Sequence, residues 1–456
     1  MHVIQELADF VAGHREGDLP DSARESCSLL VLDLVSASAA GFHSELAEAA
    51  RAAATDIFGG GEAPVWFASR SQGIAGAAMA NAAAASAFDI DDGHRGAAGH
   101  PGAGIVPAVF AIAQCLGSPD ERIFDALALG YDIGLRIATS RPTPTIETYS
   151  SGRWVNYGIA AGAGRLLGLG ANEIAHAMAI AGAEGPISFP KGSSLYQGST
   201  VKEVIPPAVV AGLTGAYRAR AGATGPRDLL DRDDRFVRSV LTGGLGDKWW
   251  LEGCYLKPYA CCRYMHAAID AIGALRRPGT PILSLRIETF PRALGLANER
   301  APTTLEGAQY SFFFSCALAA VHGVAALQPV DPKCLTDQQV LELASRIDLV
   351  AHDDFGEAFP KATPCRVIIN QGQGPESLDV PYPLGDVSNP MSRAQIVEKF
   401  NRIGACTLGE ETRMTIIAAC ERLQSRGFQP LFAALEGNAA MRRLTPAASL
   451  TPGRPF

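Results

Sequence analysis

The chain has 456 residues, 47% of them apolar and 19% charged, and 39 Lys plus Arg against 47 Asp plus Glu leave a net charge of −8. That length exceeds an ordinary single core and sets an expectation of two domains. An acidic balance without basic runs argues against a nucleic-acid partner.

The N-terminus carries acids early and no basic stretch, which is unlike a secretory leader. No uninterrupted apolar run reaches the roughly 20 residues of a bilayer span, the longest being broken by Asn81 or Arg165. We therefore expect a cytoplasmic protein without a membrane partner. Through the first 250 residues apolar side chains recur every three to four positions. Asp21 or Ser22 is placed to cap a helix running through Glu25, Leu29, Leu30, Leu32, Leu34 and Val35. The same spacing predicts helices over 44–58, 71–87, 103–116, 120–138, 151–168, 171–182 and 200–221. Ala and Gly dominate their facing positions, a composition suited to close packing in a broad bundle.

Near residue 280 the period changes. Residues 282–290 and 365–370 alternate apolar and polar like half-buried strands, with helical spacing between them at 307–322 and 336–346. Helices return at 392–403 and 410–423, and the Pro/Arg-rich tail beyond Arg442 is expected to fray. The expected architecture is mainly α. Both chain ends (1–265 and 390–456) build a helical domain, into which a smaller α/β domain (266–389) is inserted.

Ten cysteines are present without a C-x-x-C pair, so we read them as small hydrophobes rather than zinc or iron–sulfur ligands. The densest chemistry lies between Asp89 and His100, where Asp89, Asp91, Asp92, His94, Arg95 and His100 share one Gly-rich segment. Such acids also cap helices and hold turns. Beside His94, Arg95 and His100 they equally suit a site that binds and polarises an acidic substrate. The helix expected after Pro101 would offer its N-terminal amides to a carboxylate.

Lys257, Arg263 and His266 form a second group, read either as a cationic pocket edge or as a solvated helix start with a structural histidine. Lys202 opens an apolar helix. It is either a snorkelling surface lysine or, if partly buried, a base whose pKa has fallen. Tyr149 and Arg153 precede the Gly/Ala helix 155–168 and also fit ordinary loop positions. Dinucleotide, Walker A, H-E-x-x-H and G-x-S-x-G motifs do not occur.

Together these segments resemble the MmgE/PrpD family, which includes 2-methylcitrate dehydratase, cis-aconitate decarboxylase and iminodisuccinate epimerase. The resemblance rests on Phe88-Asp-Ile-Asp-Asp with Gly99-His-Pro-Gly and Ile105-Val-Pro-Ala, and on the stretch Gly158–Leu169. It continues at Lys202, at Lys257-Pro-Tyr with His266 and Asp270, and at Tyr382-Pro-Leu-Gly-Asp-Val-Ser-Asn-Pro390. It implies a large helical domain with a smaller α/β lid, a homodimer, and a cofactor-free, metal-free site between the domains. The family's aspartate and histidine fall on Asp89 and His100, and its two lysines on Lys202 and Lys257. Aligned on neighbouring motifs, Tyr149 stands where decarboxylases carry a histidine, Phe314 where they carry a tyrosine, and Cys262 where they carry another histidine. A tyrosine at 149 with a lysine at 202 resembles the epimerase branch. The resemblance thus implies inversion of the carbon α to a carboxylate in an imino-linked dicarboxylate, with Tyr149 and Lys202 as the two proton-transfer groups. Asp89, His94, Arg95, His100, Arg153, Lys257, Cys262, Arg263 and His266 would bind or support the di- or tricarboxylate. The alternatives are a 2-methylcitrate-type hydro-lyase, a decarboxylase, and a non-catalytic carboxylate-binding scaffold.

Overall fold

A computed structural model describes residues 1–142, 146, 150–186 and 201–437. Its first part is helical: Val3–Gly13, Asp21–Gly41, Glu45–Phe58, Ile74–Ser86, Gly102–Leu116, Asp120–Thr139, Val155–Leu166, Ala171–Ala183 and Ile205–Arg220. The N-cap of the second helix is Pro20, not Asp21 or Ser22, and Asp21 instead sits in the first turn, where its charge complements the helix dipole.

Val155–Leu166 packs on Gly102–Leu116, Asp120–Thr139, Ala171–Ala183 and Ile205–Arg220. Its small residues allow this. A Cβ built on Gly158 would lie 2.3 Å from the Gly130 carbonyl oxygen, so these two helices meet backbone to backbone. The helix predicted over 151–168 begins instead with a 3-10 turn, Ser151–Arg153, and becomes α-helical at Val155. The helix predicted over 200–221 starts only at Ile205, where Pro206 and Pro207 occupy the first turn and lose no hydrogen bond there.

A second core contains Tyr259, Cys261, Met265, Ile269, Leu285, Phe312, Phe314, Val367 and Ile369. It is built on a four-stranded mixed sheet in the order Asp348–Ala351, Ser284–Thr289, Cys365–Asn370, Pro375–Val380. The first pair is parallel and the others antiparallel, with Leu285 opposite Ile369 and Ile287 opposite Val367 on the buried face. The helix His266–Leu275 packs against the sheet. Sequence periodicity overlooked Asp348–Ala351 and Pro375–Val380, whose side chains are half-buried or exposed and alternate too weakly in hydropathy. It also joined two helices, Leu305–Gln309 and Phe312–His322, that Ser311 separates by capping the second through Phe314 N–H (3.1 Å).

The chain then returns to the first core. Ile396, Phe400, Ile416 and Leu431, from Arg393–Ile403, Glu410–Glu421 and Gln429–Leu435, pack there with residues of the N-terminal half. The fold is thus mainly α with a small mixed sheet. The tail beyond Arg442 lies outside the described residues. No single described helix is long and apolar enough to cross a membrane.

The close approach at Gly158 is testable. Gly158→Ala forces the Gly130 backbone away and should destabilise the protein by roughly 1–3 kcal/mol, read as a lower urea midpoint with an unchanged slope.

Candidate active site

The helix Ile74–Ser86 ends just before a turn in which Asp89 adopts a left-handed φ of 53° and its N–H donates to Ser86 O (3.2 Å). Lys399 holds this turn from behind. Its Nζ donates to Ile90 O (2.8 Å) and to Asp33 Oδ1 (2.6 Å), and both side chains are buried. Gly93–His94 then pairs antiparallel with Cys254–Tyr255, which brings the residues after Tyr255 alongside the turn.

Two buried ammonium groups converge on Asp89. Lys257 Nζ donates to Oδ2 (2.5 Å) and Lys202 Nζ to Oδ1 (2.8 Å). Lys202 lies at the start of three consecutive non-glycine residues with positive φ, Lys202, Glu203 and Val204 (29°, 52° and 52°). Backbone held this way costs of order 1–3 kcal/mol per residue and clusters at functional sites. Lys202 Nζ also donates to Gln309 Oε1 (3.1 Å) and Tyr310 Oη (3.1 Å), which come from the break between the helices Leu305–Gln309 and Phe312–His322. Gln309 is fixed in turn by its own amide, which donates to Ala87 O (3.2 Å).

His100 completes the cluster. Its Nε2 lies 3.4 Å from Asp89 Oδ1 and 3.9 Å from Glu203 Oε1, and its Nδ1 lies 3.3 Å from Asp91 Oδ2 and 2.9 Å from Asp92 O. Ser151 ties the two segments together, its Oγ accepting from His100 N–H (2.8 Å) and donating to Glu203 Oε2 (2.5 Å).

Charge decides the protonation states. Burial pushes the Asp89 pKa up, but Lys202, Lys257 and His100 outweigh it and hold the carboxylate well below its usual range. Burial lowers the pKa of both lysines, yet Asp89 reverses the sign in each, helped by Glu306 and Glu203 at Lys202 and by Asp91 at Lys257. Both are therefore ammonium ions at neutral pH. This corrects the expectation that burial makes Lys202 a weakly basic amine. His100 behaves likewise: burial opposes its charge, but Asp91 and Glu203 raise its pKa to about 9.

Asp89, His100 and Glu203 also offer ligand atoms within 4.8 Å of one another. A cation there would face the two ammonium groups that already occupy both oxygens of Asp89, so the donor set fits an ion-pair network rather than a metal.

Most other expected site residues are engaged away from Asp89, whereas Cys262 borders the cluster, its N–H donating to Gln309 O (2.8 Å). His94 lies beside Trp250 with the two rings tilted by 53°, and burial lowers its pKa to about 4, leaving a neutral structural ring. Arg95 is spent on Asp386 Oδ2 (Nε at 2.9 Å) and Thr363 Oγ1 (2.8 Å). Arg263 binds Leu384 O (2.8 Å) and sits 3.6 Å from the same Asp386 carboxylate. His266 is not a cation, because burial, Arg263 and Lys257 push its pKa well below the ordinary value. Arg153 is exposed. Cys262 is half-buried, its thiol pushed up to about 12 mainly by burial and by Asp89. The N-terminus of Gly102–Leu116 is not open to a ligand, since Gly102 N–H donates to Asp92 Oδ1 (3.2 Å). Tyr149 lies outside the described residues.

Phe314 is fully buried in the second core, whereas the hydroxyl beside Lys202 is that of Tyr310. Sequence reasoning missed Tyr310, Gln309, Glu203 and Glu306. The one available signal was Ser311, a capping residue two positions beyond Gln309 and directly ahead of an apolar run.

The sequence matches the family profile of the MmgE/PrpD N-terminal domain over residues 5–246 and that of the MmgE/PrpD C-terminal domain over residues 259–423. A cis-aconitate decarboxylase-like protein, oryM, of Aspergillus oryzae is 23% identical over 448 residues, spanning 90% of this chain and 92% of that protein. A cis-aconitate decarboxylase of Aspergillus terreus is 24% identical over 459 residues, spanning 90% and 91%.

The His100 environment sets a pH dependence of stability. With a folded pKa of about 9 against an ordinary 6.5, the folded state binds more protons between those values. The stabilisation is complete below pH 6.5 and is lost as pH rises through 9. His100→Gln should flatten the fall in stability across that window relative to the unaltered protein, measured by urea unfolding at a series of pH values.

Proposed function

The chain belongs to the MmgE/PrpD family, and from that membership and the network around Asp89 we propose a cofactor-independent enzyme that transfers a proton at the carbon next to a carboxylate of a small di- or tricarboxylate. The observation that carries this reading is Lys202. It is a buried ammonium held by Asp89, Gln309 and Tyr310, and in this reading it is the acid that protonates carbon. A proton on such a carbon is weakly acidic, so the enediolate formed by its loss must be stabilised where its charge develops. Lys257 and His100, both cationic at neutral pH, supply that stabilisation.

For the net reaction we favour inversion of an imino-linked acid such as iminodisuccinate, in which one nitrogen joins two succinate units. The Tyr149 phenolate takes the α-proton from one face, the electron pair passes into the neighbouring carboxylate, and Lys202 returns a proton to the other face. Position 149 is a tyrosine and position 262 a thiol, so two imidazoles expected of a decarboxylase are replaced. The Cys262 thiol, with its pKa near 12, stays protonated.

Decarboxylation of a cis-aconitate-like acid is the second reading. It is favoured by the activity named for the Aspergillus relatives and by the Tyr310 hydroxyl on Lys202. There the same ammonium would protonate the carbanion left when carbon dioxide departs.

Proton NMR in deuterated buffer separates these outcomes. Iminodisuccinate should gain solvent deuterium at its α-carbon, and the same preparation should leave cis-aconitate unchanged. Release of carbon dioxide from cis-aconitate supports the second reading, while loss of the 2-methylcitrate methine signal with collapse of its methyl doublet to a singlet indicates a hydro-lyase. Turnover of none of the three would overturn the enzymatic proposal in favour of a binding scaffold. Lys202→Gln should slow kcat by about 10²–10⁴-fold, the range for a lost acid–base group, with a smaller change in KM. Retention of full activity would remove Lys202 from the mechanism.

A further inference from the structure

Glu306 lies in the short helix Leu305–Gln309, three residues before Gln309 and four before Tyr310. Helical spacing puts the three on one side of that turn. Gln309 and Tyr310 both accept from Lys202 Nζ, so Glu306 borders the same site. Its Oε1 is buried and has no hydrogen-bond partner among the described residues, and a buried polar atom left unpaired asks for an explanation.

We propose that Glu306 is a specificity-determining residue that recognises a protonated amine or a hydroxyl carried between the carboxylates of the substrate; this rests on the carboxylate reading of the site given above. A third acid beside Asp89 and Glu203 is a poor neighbour for a ligand made only of carboxylates, because like charges repel. An N–H or O–H on the ligand removes that conflict by donating to Glu306 Oε1. The residue then selects for heteroatom-substituted acids and against all-carbon acids of similar shape. Its surroundings agree with this role. Burial raises the Glu306 pKa to about 7, with Lys202 opposing the rise and Asp89 and Glu203 adding to it. The carboxyl is thus ionised readily when a cationic amine arrives.

Calorimetric titration of the full chain with two probes tests the proposal: the amine-bridged acid N-(carboxymethyl)aspartate, and the all-carbon tricarboxylate of the same shape, butane-1,2,4-tricarboxylate. The unaltered protein should bind the amine-bridged acid more tightly. Glu306→Gln and Glu306→Ala should each weaken that binding by about tenfold or more, as expected for a lost charge-assisted hydrogen bond. Both should leave the all-carbon tricarboxylate within about twofold or strengthen it, since a like charge has been removed. Glu306→Gln is nearly isosteric, so it separates recognition from folding. An equal loss for both probes, or no loss for the amine-bridged acid, would overturn the inference while leaving the carboxylate reading intact. Binding of neither probe by the unaltered protein would sink both.

Discussion

Everything around the site depends on one carboxylate that has no access to water. Asp89 is buried, and an isolated buried charge is prohibitively costly unless it is paired and hydrogen-bonded. Its two partners come from distant parts of the chain: Lys202 just ahead of the helix Ile205–Arg220, and Lys257 just after the short strand Cys254–Tyr255. Gln309 and Tyr310 then tie Lys202 to the sheet-containing part. Without Asp89, both ammonium groups would be stranded in low dielectric. The ion pairs thereby fix the mutual position of four segments, and the two hydrophobic cores meet around them.

A second buried pair stands behind the first. Lys399 and Asp33 are both fully enclosed, and Lys399 spends a further donor on the Ile90 carbonyl beside Asp89. Asp92 caps the helix Gly102–Leu116 in the same region. The acids that crowd residues 89–92 thus divide their labour. Asp89 faces the lysines, Asp91 faces His100, and Asp92 serves the helix N-terminus.

How far the sequence discloses this follows from where the information lies. The long amphipathic helices and the strands at 284–289 and 365–370 are local and periodic, and they were legible. The strand Pro375–Val380 was not, because its side chains stay half in water and its stability comes from pairing with Cys365–Asn370. Asp89, His100, Lys202 and Lys257 each stood out as candidates, but their meeting was not legible, since Lys202 reaches Asp89 across 113 residues and nothing near either one announces the other. The basic residues around 263–266 illustrate the opposite error. A cation in sequence becomes a site cation only if the fold supplies an acid and an opening. Arg263 is consumed by backbone carbonyls near Asp386, and His266, buried beside Arg263 and Lys257, stays neutral. Tyr310 was hidden because an apolar run hid the break at Ser311, and the neighbouring Phe314 drew the expected role to itself.

Why Lys202 rather than Lys257 should be the mobile acid follows from their acceptors. Lys257 donates to Asp89 Oδ2 in a short, charge-assisted bond, and removing its proton would break the stronger of the two ion pairs. Lys202 divides its donors between Asp89 and two neutral groups, Gln309 Oε1 and Tyr310 Oη. When Lys202 gives up a proton, Asp89 and Lys257 remain as a balanced pair, so no uncompensated charge is left behind. The Tyr310 hydroxyl, which accepts from the ammonium, can turn and donate to the amine, because a phenol serves in either sense. The trio of two lysines and one aspartate therefore carries one excess positive charge while a carboxylate is being bound. In the proposed reaction it becomes neutral when the proton has moved to carbon.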